Sequence, residues 1–274
     1  MVNERSDSYS EGELMLVRRL TWAGLEVRVP GTMLVIDFLG GVPSLSQYAG
    51  EPTEDLLAPS GRAGTVSSAA VTHPHSDHFD VEALRRALAP DAQVLCPIEI
   101  TEAVAGAGLT PRGVGLWDAV EIGELKVTAV PAVDGFGATQ VSWVVSHGDR
   151  SLIHCGDTLW HGQWWEIAER CGPIDLAFLP VNGAMAEFDY LQPPSGIPAV
   201  LTPEQAAAAA QVLAAREAAP IHYGTFHKPP LYISFPDPEA AFVAAAARRG
   251  VTTRLMRPGD EVELAPSGNG QTKT

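Results

Sequence analysis

Apolar positions alternate with polar ones in the first forty residues and later merge into short solid runs separated by helical spacing. "LMLVRRL" (14–20), "LEVRV" (25–29) and "MLVIDFLG" (33–40) read as strands broken by Gly and Pro. Residues 41–65 are rich in Pro, Gly and Ser and read as a long loop, a length that often marks a lid over a site. "VSSAAVTH" (66–73) predicts a short strand, and "DVEALRRALA" (80–89) a helix with Asp80 as its N-cap. "AQVLCP" (92–97) is strand-like and leads into a helix near 98–107 that stops at Gly108. Residues 115–133 read as two strands joined at "GE", and 140–157 as a hairpin turning on "HGDR". A helix near 161–170 precedes the apolar strand "IDLAFLPV", and a second long loop covers 183–201. The Ala-rich stretch 203–217 predicts a helix running into the strand "PIHYG"; a helix over 237–249 and strands "TTRLM" and "EVELA" follow.

Strands first, then strands alternating with helices, predict an α/β fold: a four-layer αββα sandwich of two mixed β-sheets flanked by helices. No repeat or linker divides the chain. The reading is one domain over 14–266, with a flexible N-terminus at 1–13 and a flexible tail at 267–274. At 274 residues and 46% hydrophobic composition there is ample material for a core. The polar, acidic start is neither a secretory signal nor a transit peptide, and no apolar run reaches membrane-spanning length, so a cytoplasmic protein is expected. The net charge of −15, without a Lys/Arg cluster, argues against nucleic acid or a membrane as partner. A small-molecule substrate is the expected partner, and a homo-oligomer is compatible with the sequence. Cys96, Cys155 and Cys171 are widely spaced and form no CxxC pair, so buried free thiols are expected.

Chemistry concentrates in "AAVTHPHSDHFD" (69–80). On an extended segment His73 and His75 point the same way and can grip one metal ion together. Asp77 and His78 follow as the chain turns, and can hold a second. Neutral imidazoles with a carboxylate suit zinc first, with manganese or iron as alternatives. No G-x-S-x-G elbow is present, and Ser76 is flanked by the histidines the metal reading uses.

This H-x-H-x-D-H stretch after an apolar strand resembles the signature of the metallo-β-lactamase superfamily, and the resemblance runs from about residue 18 to 265. "LTWAGLEVRVPGTMLVIDF" looks like the family's opening strands, ending in an acidic turn at Asp37. "HCGDT" (154–158) is similar to the segment that supplies a bridging aspartate, here Asp157. "PIHYGTF" (220–226) resembles the closing motif, whose histidine is His222. "GDT", "FLPVNG" and "IHYGTF" together look most like the branch containing ascorbate-6-phosphate lactonase and related hydrolases. The family usually places another histidine between the first motif and the bridging aspartate. In "TAVPAVDG" that position falls on Asp134, which either ligates or merely caps the turn before Gly135. If it ligates, three carboxylates and a hydroxide cancel the charge of two divalent ions, and the site should tolerate harder metals.

The resemblance implies two divalent metal ions and a hydrolase that uses a metal-bound hydroxide to cleave a small lactone, ester or phosphodiester. Asp77 would orient the nucleophile and shuttle its proton. Asn182 and His227, beside the matched segments, are candidates for substrate binding. Trp160 and His161 are expected to be buried, although near enough in sequence to form a pocket wall; His154 faces either solvent or a position that supports a ligand, and His147 is expected to be solvated on its hairpin. Loops 41–65 and 183–201 should select the substrate; their only basic residue is Arg62, so a phosphorylated substrate would call on Lys228. Two alternatives stand beside the hydrolase: a non-catalytic or weakly active metal-binding scaffold, prompted by Asp134 at a usual histidine position, and a mono-iron oxygen-using enzyme of the same fold.

Overall fold

A computed structural model describes residues 14–42 and 44–264; the expected flexible segments 1–13 and 267–274 lie outside them. The first sheet contains β1 (Met15–Arg19), β2 (Leu25–Val29), β3 (Thr32–Ile36), β4 (Val66–Ala70), β5 (Leu88–Pro97), β6 (Pro111–Val114) and β15 (Glu261–Leu264), in the order β15-β1-β2-β3-β4-β5-β6. The second contains β7 (Ala119–Ile122), β8 (Leu125–Pro131), β9 (Val141–His147), β10 (Arg150–His154), β11 (Leu176–Pro180) and β13 (Glu217–Ile221), in the order β13-β11-β10-β9-β8-β7. Met15 pairs with Leu264, so the two ends of the described chain are sewn into one sheet. A two-residue ribbon joins β12 (Met185–Ala186) to β14 (Tyr232–Ile233).

Side chains follow the strand period of two. Val17, Val27, Ile36 and Leu95 of the first sheet and Val127, Trp143, Leu152 and Phe178 of the second form the core between the sheets. Their neighbours point outward. Val35, Val94 and Cys96 meet α2 (Val81–Ala87) and α3 (Thr101–Gly106), whereas Ile153, Ala177 and Leu179 meet α4 (Trp164–Cys171), α5 (Pro203–Val212) and α6 (Pro238–Arg249). Three apolar layers between four layers of secondary structure make the αββα sandwich.

Local signals set several element ends. Asp80 caps α2 by accepting from the Ala83 N–H, and Thr202 and Gln205 form a reciprocal capping box at α5. Helix α5 ends earlier than the Ala-rich pattern suggests. Ala214 turns left-handed (φ 50°), and Arg216 and Glu217 instead donate to Ile174 and Asp175, pulling 217–221 into the sheet. "TTRLM" contributes only an isolated bridge between Thr253 and Ala218 rather than a strand. Strand β6 and the β12–β14 ribbon have no periodic signature, because four- and two-residue segments are too short to show one. The three cysteines are free thiols, Cys96 and Cys155 buried and Cys171 partly so. No helix among the described residues is long and apolar enough to cross a membrane.

This topology places the chemistry. Strands β3 and β4 are parallel, as are β10, β11 and β13, and β8 shares their direction because β8 and β10 both run antiparallel to β9. Asp37, His73, Asp134, Asp157 and His222 each follow the C-terminal end of one of these strands. Residues separated by nearly two hundred positions therefore arrive at one edge of the paired sheets.

Candidate metal centre

The 73–78 stretch forms bends and a turn rather than an extended segment, closed by the His78 and Phe79 N–H groups donating to the His75 carbonyl. The rings of His73 and His75 nevertheless converge, with centroids 4.6 Å apart. Two overlapping sets of ligand atoms result. His73, His75, Asp134 and Asp157 offer atoms mutually within 4.8 Å, and so do His78, Asp157 and His222. Asp77 groups with His73 and His78 and lies 3.5 Å from His222 Nε2. Asp157 belongs to both halves: its Oδ1 is 3.6 Å from His73 Nε2 and its Oδ2 4.0 Å from His78 Nε2.

The hydrogen-bond frame fixes which nitrogens face inward. Thr72 donates its N–H (2.8 Å) and its hydroxyl (2.7 Å) to the buried carboxylate of Asp37. That hydroxyl has no second proton, so its 2.9 Å contact with His73 Nδ1 requires the imidazole to donate. His73 Nε2 is then a bare lone pair directed at Asp157. His78 Nδ1 likewise donates to Asp37 Oδ2 at 2.7 Å, turning its Nε2 toward Asp77, Asp157 and His222. Asp134 caps its turn through one oxygen and leaves the other toward the cluster. Its Oδ2 accepts the N–H groups of Phe136 and Ala138 at 2.8 Å, while Oδ1 stands 3.4 Å from His75 Nδ1.

These atoms fit a cation. His73 Nε2, Asp134 Oδ1 and Asp157 Oδ1 are buried and have no hydrogen-bond partner, an arrangement costly unless a positive centre sits among them. The buried groups of the cluster also shift one another's titration. Burial, with the carboxylates of Asp77, Asp134 and Asp37, overcomes the attraction of His78 and pushes Asp157 up to about 8. Burial would lower His78, but Asp77 and Asp37 outweigh it and hold it well above the ordinary histidine range. Burial drives His73 well below that range and His222 down to about 4, leaving both imidazoles neutral and suited to ligation. The backbone is strained where the site is built: Trp22 (φ 62°), Asp37 (φ 46°) and His222 (φ 59°) are all left-handed, a conformation costing on the order of 1 kcal/mol or more for such residues.

A cleft of about 700 Å³, counting its open mouth, lies over the cluster, with His75, Asp77, Asp157 and His222 in its wall. Both long loops reach it, the first through Leu45, Tyr48 and Ala49, the second through Ala184, Phe188, Tyr190, Ala199 and Val200. Asn182 does not line it. It is fully buried, and its Nδ2 donates to the hydroxyl of Tyr232 (2.7 Å), a residue that does line the cleft. His227 is exposed outside the cleft wall, accepting the Ser234 N–H. His154 is buried behind Asp37, bonded to the Ala23 carbonyl, and His147 is buried against Glu124 rather than solvated. Trp160 and His161 also lie outside the cleft wall. The acidic turn at Asp37 was legible as a motif, but its role and that of Thr72 were not, because they touch candidate ligands without being ligands. Trp22 and Tyr232 come from segments whose apolar pattern reads as core.

His161 supplies a pH signature of its own. It stacks on Trp164 with centroids 4.2 Å apart, and burial lowers its pKa to about 4. Above pH 6.5 the ring is neutral in folded and unfolded chains alike. As pH falls from 6.5 toward 4 only the unfolded chain takes the proton, so stability drops by about 1.4 kcal/mol per pH unit at most. His161→Phe should flatten that part of a stability–pH profile measured by urea unfolding; an unchanged slope would assign the loss to other groups.

Residues 42–223 match the family model described as a beta-lactamase superfamily domain. A UPF0173 metal-dependent hydrolase of Thermus thermophilus is 32% identical over 244 residues, covering 85% of this chain and 92% of that protein. One from Methanopyrus kandleri is 29% identical over 264 residues, 89% of this chain and 99% of its own. Among solved structures, the metallo hydrolase Igni18 of Ignicoccus hospitalis superposes with a TM-score of 0.67 at 20% identity, covering 92% and 99% of the two chains, a likeness of fold.

Proposed function

The chain belongs to the beta-lactamase superfamily, alongside the UPF0173 metal-dependent hydrolases, and from that premise we propose that it is a metal-dependent hydrolase cleaving a small lactone, ester or phosphodiester. The observation that carries this reading is the convergence of bare, buried acceptor atoms on the floor of an open cleft. His73, His75, Asp134 and Asp157 would hold one divalent ion and Asp77, His78, Asp157 and His222 another, zinc foremost, with manganese or iron as alternatives. Bound there, the ions would supply Lewis acidity that activates water and polarises the bond to be broken.

The chain's own groups do the rest. Asp77 is the carboxylate to move the proton: its side chain keeps 17% exposure at the cleft floor while Asp37 and Asp134 are sealed. The Trp22 Nε1–H (3.2 Å) donates to its Oδ2, which lies 3.5 Å from His222 Nε2. Burial and the His78 and His222 contacts act oppositely on Asp77, and the histidines win, keeping it well below the ordinary carboxylate range and therefore ionised. The Tyr232 hydroxyl accepts from Asn182 and so has its own proton free for an oxygen that gains negative charge. Burial and Asp77 hold that phenol well above its usual pKa, which keeps it a donor. Asn182 thus serves substrate through Tyr232, as a positioning residue.

Elemental analysis of the purified protein tests this reading. About two ions per chain are expected, with His75→Ala losing one or both and Asp134→Ala losing occupancy in the same half. Metal-free protein as isolated, or full occupancy in both variants, would overturn it.

A further inference from the structure

We infer that the substrate of this site is an uncharged ester or lactone whose flat, apolar portion lies against an aromatic wall of the cleft, in preference to an anionic phosphodiester. The inference rests on the hydrolytic reading above for the bond that is cleaved; the shape and charge of the cleft select the substrate.

The wall is continuous from the cluster to the solvent. The Phe136 ring stands 5.9 Å from that of His75, and Phe188 lies 5.6 Å beyond Phe136. Tyr190 stacks on Phe188 at 5.5 Å with an interplanar angle of 21°, and Tyr48 meets both edge-on, at 5.3 Å from Phe188 and 5.9 Å from Tyr190. Four rings from three separate segments thus make one surface, and its outer members are open to water: Tyr190 is 63% and Tyr48 37% exposed. Exposed aromatic surface that leads directly to a catalytic floor is a seat for a flat apolar group.

Charge narrows the class further. No lysine or arginine is among the described residues lining the cleft, whereas Asp77 and Asp157 are. Lys228, the nearest candidate from the sequence, is spent: its Nζ donates to the carbonyls of Ser46 (3.1 Å) and Gln47 (2.8 Å), tying down α1 (Ser46–Ala49), the turn that presents Tyr48. Arg62 lines a different depression, together with Arg86. A phosphodiester would find a positive charge only at the metal centre, because beyond it the lining offers no cationic side chain to hold its anion. A carboxylic ester or lactone brings no charge until its carbonyl is attacked, and the Tyr232 hydroxyl faces that need.

Two measurements decide it, one of which needs no turnover. Quenching of tryptophan fluorescence follows binding of 4-nitroacetanilide, neutral, and methyl 4-nitrophenyl phosphate, an anionic phosphodiester, to the protein as purified. The neutral probe should bind at least about tenfold tighter, and Tyr190→Ala should lower its affinity several-fold, the scale of a lost aromatic contact. Tyr190→Arg should narrow the gap by strengthening the anion. In the kinetic arm, kcat/KM for 4-nitrophenyl benzoate over 4-nitrophenyl acetate, corrected for their alkaline hydrolysis, should favour the benzoate by about tenfold and fall toward unity in Phe188→Ala and Tyr190→Ala. Tyr190 is exposed, so its variants keep the test valid if Phe188→Ala unfolds. Equal binding of the two probes, or a benzoate preference untouched in the Tyr190 variants, overturns the inference. Selective binding of the neutral probe without turnover of either ester supports this assignment of the cleft while counting against the hydrolytic reading.

Discussion

Asp157→Ala is expected to strip metal from both halves of the cluster, reducing content from about two ions per chain to well below one. It should also lower hydrolysis to background. Asp157 is the residue shared by the two ligand sets, with one oxygen toward His73 and the other toward His78. Losing a supporting partner of a ligand typically costs roughly 10–100-fold in metal affinity, and losing a shared ligand should exceed that. A merely structural role predicts the opposite pattern of stability. Burial and neighbouring carboxylates raise Asp157 from 3.8 to about 8. Its contribution to the fold is therefore full below pH 4 and is lost as pH rises toward 8, where the buried group must ionise. In chelator at pH 8, Asp157→Ala should unfold at the same temperature as the parent or higher, and only the parent should gain stability when zinc is restored. A variant that is destabilised in chelator and still fills with metal would remove Asp157 from the centre.

Asp37→Ala should be the most destabilising substitution at the site that removes no proposed ligand, costing on the order of 3–5 kcal/mol in urea unfolding. Asp37 is sealed from solvent and accepts from the Thr72 N–H, the Thr72 hydroxyl and His78 Nδ1. Removing it strands three buried donors at once. It also frees His78 to turn the wrong nitrogen inward, so metal should be lost although every proposed ligand remains. Asp37→Asn keeps the shape and can accept from some of these donors, and should fall between the two. A cost below about 1 kcal/mol with metal retained would show that the Thr72–Asp37–His78 frame does not orient the ligands.

The same residues mark the limit of reading a chain one segment at a time. Asp80 as an N-cap, the hairpin at Gly148–Asp149 and the crowding of His73, His75, Asp77 and His78 all follow from neighbours within a few positions. Asp134 could not be resolved that way. Its turn-capping oxygen is a local matter, but the other oxygen meets His75 only because β8 and β4 sit in facing sheets. Asn182 looked like a substrate contact because it follows an apolar strand; the β12–β14 ribbon instead brings Tyr232 between it and the cleft. His147 looked solvated because hairpin ends usually are, yet it packs beside Glu124 of the adjacent turn.

By itself, then, the order of residues determined the two alternating periods, the layered sandwich they imply and the histidine-rich turn, since each depends on side chains close along the backbone. Only the tertiary structure decided which oxygen of Asp157 faces which half of the cluster, that Asp37 sets the tautomers, and that Tyr48, Phe136, Phe188 and Tyr190 make one wall. Those contacts join atoms up to 144 positions apart, as His78 and His222 are, and sheet register rather than local preference brings such atoms within reach.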